Sequence, residues 1–422
     1  MFPVFLRKCG LVGLCLLGGC GPALYNEIEL MPSPTLHAET SFNPYVGINS
    51  ENVTDRAKLF YVTDRAVAHP EDPQEFYNNE RGVLVRAGTA NVTVDPPLQN
   101  WEEALRISLS SEPNDDYTLS VIGVEETGVL PFSIAHPIDD PPSSAEMATA
   151  GRQFAAQINA KLKTSPNKDI FVYVHGYNVD FDYSTLVSKS LQHFLGYQGA
   201  FISYNWAATP SRFAYFRDQE SALATRRNLR ALIEFLSENT RADKIHLIGY
   251  SAGTRPAFEV AYQLALKSEQ TKSRMGKLVL ISSDLDQAHF LQAIEDGLLE
   301  TVTDVTVYQS QTDSALALSR FVFGRARIGE RSNRTVAGPA ARKWISSLDN
   351  LHIIDVTDAE RASAGNGHWY FQSSPWASSD LMMSLLYQRA PDERGLVRET
   401  GEFVWRFPSN YPRVLQSIAQ GL

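Results

Sequence analysis

Apolar and polar positions change rhythm along this chain. From residue 169 onward, short apolar runs at 170–174, 200–204, 244–249, 277–282, 304–309 and 351–355 alternate with segments near 184–195, 213–238, 252–267, 286–297, 313–322 and 376–388, in which apolar residues recur every three to four positions. Continuous apolar runs of this length mark strands covered on both faces, and the three-to-four spacing marks amphipathic helices. Six such units in succession predict an α/β architecture: a mainly parallel central sheet with helices on both faces and right-handed crossovers. A site in such a sheet lies beyond the carboxyl ends of the strands. Upstream, Val-, Ile- and Thr-rich runs at 58–63, 83–94, 105–111 and 117–125 predict extra N-terminal β-strands at the sheet edge. A Pro-rich stretch from Pro131 to Pro142 separates them from a helix expected around 144–163. Residues 21–56 carry scattered Pro, Ser, Asn and Gly and read as a tether, with the folded domain over 57–390 and a C-terminal extension over 391–422. That extension includes a strand-like Gly401–Phe407 without an obvious place.

Composition narrows the classes. The 422 residues have an ordinary apolar fraction and a net charge of −10 without a Lys/Arg block, which argues against a nucleic-acid partner. All three cysteines (Cys9, Cys15, Cys20) fall in the first twenty residues, so a mature chain would carry no disulfide, no cysteine nucleophile and no thiolate metal site. Arg7-Lys8, the apolar stretch to Leu17 and small residues before Cys20 form a secretory signal, residues 1–20. Leu17-Gly-Gly-Cys20 resembles a bacterial lipobox, in which Cys20 is acylated and becomes the new N-terminus. The expected setting is the cell envelope, with the membrane as partner through this lipid anchor. In a two-membrane host, Gly21 after the cysteine points to the outer membrane's periplasmic face. Oligomeric state is not readable.

The chemistry is concentrated in Lys244-Ile-His-Leu-Ile-Gly-Tyr-Ser-Ala-Gly253, where a strand breaks at Gly249, presents Ser251 and enters a helix through Gly253. Strand, tight turn and helix around G-x-S-x-G make a nucleophile elbow with Ser251 as nucleophile. An acid and then a histidine should follow in the chain. Asp313 sits after the run 305–309, where it would orient a histidine, although it also opens a helical pattern and reads equally as an N-cap. Asp284 and Asp286, after the preceding strand, compete for the role. His368, in Gly365-Asn-Gly-His-Trp369, is the only histidine beyond His352, which lies inside a strand. The oxyanion donors expected are the N–H of Ala252 and, after the strand 170–174, the N–H of Tyr177 in His175-Gly-Tyr177; His175 itself reads as structural. Asn205-Trp206 either walls the pocket or packs. Arginines 325, 327, 331 and 334 read as a solvated loop, and Asp180 and Asp182 as helix caps. No metal-ligand spacing and no phosphate loop occur, so neither metal nor organic cofactor is expected.

With these motifs in order, the chain resembles the bacterial α/β-hydrolase group known as domain of unknown function 900, over roughly 57–390. The resemblance rests on Phe60-Tyr-Val-Thr-Asp-Arg65, Val174-His-Gly-Tyr-Asn178, Tyr215-Phe-Arg-Asp-Gln-Glu-Ser-Ala222, Tyr308-Gln-Ser-Gln-Thr-Asp-Ser-Ala-Leu316 and Gly367-His-Trp-Tyr-Phe371. The chain departs at the elbow, with Tyr250-Ser-Ala-Gly253 where His-Ser-Met-Gly is usual, and after the second central strand, with Asn205-Trp-Ala-Ala-Thr-Pro-Ser211. The resemblance implies an α/β-hydrolase fold, favours Asp313 as the acid, and implies esterase-like activity on a small-molecule or lipid ester. The other readings are a catalytically silent envelope scaffold and an acyl transferase sharing the same triad.

Overall fold

The computed structural model describes residues 26–46, 57–72, 75–111, 116–135, 138–267, 269–330, 338–399 and 402–421. Cys20 with the whole signal segment, and Arg331 and Arg334, lie outside the described residues. Eleven described strands form one sheet: β1 (Glu27–Glu29), β2 (Lys58–Val67), β3 (Tyr77–Asp95), β4 (Thr118–Val129), β5 (Ile170–Val174), β6 (Ala200–Asn205), β7 (Ile245–Tyr250), β8 (Met275–Ile281), β9 (Val305–Gln309), β10 (Leu351–Asp355) and β11 (Val404–Arg406). Their spatial order is β1-β4-β3-β2-β6-β5-β7-β8-β9-β10-β11. From β2 to β11 every neighbouring pair is parallel, whereas β3, β4 and β1 add an antiparallel flap. The parallel order reverses beside β5 and β6, which places the carboxyl ends of β5 and β7 over the middle of the sheet.

The principal helices are α1 (Trp101–Ser108), α2 (Ser144–Thr164), α3 (Phe181–Phe194), α4 (Tyr215–Asn239), α5 (Thr254–Lys267), α6 (Gln287–Glu295), α7 (Ser314–Phe323), α8 (Pro339–Ser346), α9 (Pro375–Tyr387) and α10 (Tyr411–Ala419). The central strands are buried on both sides because successive side chains point to opposite faces. Ile170, Val172 and Val174 of β5 join the core under α2, α4 and α5, whereas Phe171 and Tyr173 join the core under α3, α9 and α10.

Three expectations change. The run at 105–111 is not a strand: Asn100 Oδ1 accepts the Glu103 amide at 2.9 Å and Glu103 answers at the Gln99 amide, so α1 forms through Ser108. The alternation in Leu105-Arg-Ile-Ser-Leu109 mimics a strand, but the cap and the acidic first turn outweigh it. Residues 26–46 are not tether, since β1 pairs with β4 and a helical turn at Thr35–Ala38 buries Leu36 completely. The strand-like segment near 401–407 does not stand apart either: β11 extends the sheet beside β10, and α10 packs Tyr411 and Leu415 into the second core.

Candidate active site

Ser251 sits at the tip of β7 with φ +52°, a left-handed conformation that serine adopts only when its surroundings impose it. The cause is packing behind the turn. A Cβ on Gly253 would lie 2.1 Å from the His175 carbonyl oxygen, so only glycine lets the elbow close against the end of β5. The elbow leads directly into α5.

Three side chains from separate loops meet here. His368 Nε2 lies 2.9 Å from Ser251 Oγ, and His368 Nδ1 lies 2.7 Å from Asp313 Oδ2. All three are buried, Asp313 almost completely. Asp313 caps α7 as well, since its Oδ1 accepts the Leu316 amide at 3.0 Å. One carboxylate oxygen therefore faces the His368 imidazole while the other caps the helix. The competing acids are engaged elsewhere. Asp286 caps α6 through the amides of Ala288 and His289. Asp284 is buried among Tyr215 Oη at 2.7 Å, Arg255 Nη2 at 3.1 Å, Arg327 Nε at 3.4 Å and the Ser319 hydroxyl.

The histidine loop is held by contacts the sequence does not announce. Ser282, at the tip of β8, is another non-glycine residue with positive φ, +47°, and its Oγ donates to the His368 carbonyl at 2.9 Å. Tyr250 Oη donates to the same carbonyl at 3.3 Å, which gives the unusual elbow residue a structural task. Two adjacent strand tips with positive φ thus converge on one residue, Ser251 on the His368 ring and Ser282 on its carbonyl. The only hint for Ser282 was polar residues directly after an apolar strand.

The expected oxyanion segments lie against each other. A Cβ on Gly176 would come 3.0 Å from Ser251 Cβ, so the 175–177 loop runs directly beside Ser251, with Ala252 following it in the turn. His175 serves that loop: its Nδ1 lies 2.7 Å from the Gly176 carbonyl and its ring stacks on buried Trp206 at 5.1 Å, nearly parallel. Burial, assisted by the nearby Arg65 guanidinium, pushes His175 down to about 3, so it is neutral at physiological pH. Trp206 therefore packs, and its Nε1 donates to the His175 carbonyl at 2.7 Å.

Arg65 completes the support. Fully buried at the end of β2, it donates to the carbonyls of Ala208 at 2.9 Å and Val179 at 3.2 Å, tying the loop after β5 to the loop after β6. Burial pulls its guanidinium down to about 10, which leaves it charged at neutral pH. A lone arginine inside an apolar strand was the available signal. Asp180 caps α3 as expected, whereas Asp182 in the first turn is pushed up to about 7 by burial beside Asp180 and Glu75. Among the described residues, no group of three His, Cys, Asp or Glu side chains is placed to hold a metal ion, and no helix is long and apolar enough to cross a membrane.

Comparison with known proteins agrees with this architecture. No curated protein matches the chain. Several solved structures are similar to it, among them two of esterase B from Lactobacillus rhamnosis. One, inhibited by a C4-C4 SN3 tributyrin phosphonate, shares 12% identity over 58% of this chain and 93% of that chain, with a TM-score of 0.28. The other, with a C6-C4 SN3 inhibitor, shares 13% identity over 53% and 89%, with a TM-score of 0.24. At such scores neither likeness bears on activity. The family described as alpha/beta hydrolase of unknown function, DUF900, matches residues 151–389, more than half of the chain, from α2 through α9. With the elbow, the parallel sheet and that match in hand, the chain belongs to the DUF900 family of α/β hydrolases.

Proposed function

We propose that this protein is a serine hydrolase that cleaves carboxylic esters through an acyl-enzyme. The observation that carries the reading is the single imidazole of His368 within hydrogen-bond reach of both Ser251 Oγ and Asp313 Oδ2. In the reaction, Ser251 Oγ attacks the acyl carbon while His368 Nε2 takes its proton, and the carbonyl oxygen becomes an oxyanion facing the amides of Tyr177 and Ala252. The carbon–oxygen bond to the alcohol breaks as His368 returns the proton to the leaving alkoxide. Water then attacks the acyl-enzyme by the same route, which releases the acid and restores Ser251. Asp313 holds the imidazole with Nδ1 protonated and stabilises the imidazolium that forms transiently.

The test is direct. Wild-type chain should hydrolyse p-nitrophenyl butyrate and label with a fluorophosphonate, and Ser251→Ala should lose labelling and roughly four orders of magnitude of turnover. Undiminished hydrolysis by Ser251→Ala would remove the assignment.

A further inference from the structure

A cavity of about 450 Å³ lies between the antiparallel flap, α1 and the last turns of α3. Its apolar wall comes from Val92 and Val94 of β3, Leu119 of β4, Trp101 and Ile107 of α1 and Phe194 of α3. Ala57, just before β2, and the end of antiparallel β3 also border it, so it sits at the amino ends of the parallel strands. Ser251 lies at a carboxyl end. Helix α3 sets the separation: it starts at Phe181, after the loop that follows β5, and runs about 20 Å at 1.5 Å per residue before it reaches the cavity. Folded interiors leave few voids larger than a water molecule, and this one has the size of a small-molecule site.

The wall has a polar corner on α3. Lys189 is buried, and its Nζ donates to Gln192 Oε1 at 2.8 Å and to the Lys58 carbonyl at 3.3 Å, 5.3 Å from the centre of the Tyr197 ring. These neutral groups solvate the ammonium and leave its charge in place. Beside it Ser190 is only 4% exposed, and its Oγ has no hydrogen-bond partner. Ser188 satisfies its own hydroxyl on the Ser184 carbonyl at 2.9 Å, whereas Ser190 does not turn back on the helix. A hydroxyl buried in that state calls for a partner that the fold does not supply. The corner is also rigid. His193 Nε2 lies 2.7 Å from Ser108 Oγ and 3.0 Å from Tyr45 Oη, and its Nδ1 lies 2.6 Å from Tyr197 Oη. This hub pins α1, α3 and the N-terminal segment to one another, so the cavity is a built space and not a gap between loosely docked helices.

We propose that this cavity binds a single-chain aliphatic carboxylate, with the hydrocarbon between the flap and α1 and the carboxylate received by Lys189 and the Ser190 hydroxyl. A wholly apolar ligand would leave the Ser190 hydroxyl unmet, and a wholly polar one would strand its own groups against the apolar wall. An anionic head meets both the hydroxyl and the charge, and hydrogen bonds to an ionised group away from bulk water are the stronger kind. The site makes no use of Ser251 and stands apart from the hydrolase reading.

The experiment is calorimetric titration of the full chain with dodecanoate below its micelle concentration, and with dodecanol, which has the same tail without the charge. Wild type should bind dodecanoate saturably and about tenfold more tightly than dodecanol. Ala104→Trp, which sets an indole into the cavity from α1, should weaken dodecanoate by about tenfold or more. Lys189→Met keeps the stem, removes the charge and should bring dodecanoate down to the affinity of dodecanol. No saturable binding by wild type overturns the proposal. So does equal binding by wild type and Ala104→Trp, which would place the ligand elsewhere, the surroundings of Ser251 included. Equal affinity of wild type for dodecanol and dodecanoate, or unchanged dodecanoate binding by Lys189→Met, rejects the carboxylate head. Binding is read without turnover, so a chain that hydrolyses no ester loses the hydrolase reading and leaves this result to stand.

Discussion

Asp313 Oδ1 accepts the Leu316 amide and Oδ2 pairs with His368, so helix capping and orientation of the imidazole can be separated by one substitution. Asparagine is isosteric and keeps a carbonyl oxygen for the cap, but it cannot stabilise an imidazolium and favours the wrong tautomer if its amide turns toward Nδ1. Asp313→Asn should therefore lower kcat for p-nitrophenyl butyrate by roughly 10³–10⁴ and shift the thermal midpoint by only a few degrees. Steady-state kinetics and thermal unfolding on the same preparation check both halves. A large loss of stability with modest loss of rate would make Asp313 mainly a cap.

The C-terminal segment joins the body through a buried ion pair. Arg394, in the turn 392–394, pairs with Asp380 of α9 at 3.1 Å, and Tyr308 of β9 donates to the same carboxylate at 2.7 Å. Both charged residues are completely buried. Removing one partner of such a pair strands the other without water, at a cost of about 3–5 kcal/mol, whereas removing both costs less. Arg394→Met should therefore lower urea stability by that amount, and Arg394→Leu/Asp380→Leu should recover part of it; a double variant worse than both singles would refute the coupling. This pair also shows what the chain discloses in advance and what it withholds. The six β–α units and the elbow were legible because period and turn residues are local properties, and Ser251 and His368 follow from them by order along the chain, whereas order alone left Asp313 in competition with Asp284 and Asp286. Strand 401–407 was legible as β but had no place, because its partner β10 is some fifty residues away in sequence. Helix α1 was misread since alternation and helical spacing coincide over a few residues and the deciding cap lies outside the run. Ser282 and Arg65 were missed for a related reason: their tasks are bonds to carbonyls of distant loops, which leave no spacing to read.

At the scale of the whole molecule, both ends of the described chain close over the same face of the sheet. The turn at 35–38 meets α9 through a bond from the Leu36 amide to Ser379 Oγ at 3.0 Å, and Gln416 of α10 reaches the Glu39 carbonyl. His37 lies inside this closure, 2% exposed and ringed by Phe42, Tyr45 and Phe194, with neither ring nitrogen hydrogen-bonded. Burial, with His193 nearby, pushes it down from 6.5 to about 3, so the folded protein keeps it neutral. The unfolded chain takes up the proton first as pH falls, so its contribution to stability is complete above about 6.5 and is lost progressively toward 3. Phenylalanine fills a similar space and carries no proton. The stability of His37→Phe relative to wild type should therefore rise on acidification, by about 2 kcal/mol between pH 7 and pH 5, since each unit of pKa difference is worth about 1.4 kcal/mol. Urea midpoints for both proteins at the two pH values measure this difference. The carboxyls that burial pushes up, Asp64 and Asp182 among them, pull stability the other way, but they are common to both proteins and cancel. Parallel pH profiles would mean that His37 gains solvent or a partner on protonation, and that the N-terminal segment can lift from α9 and α10 without unfolding the sheet.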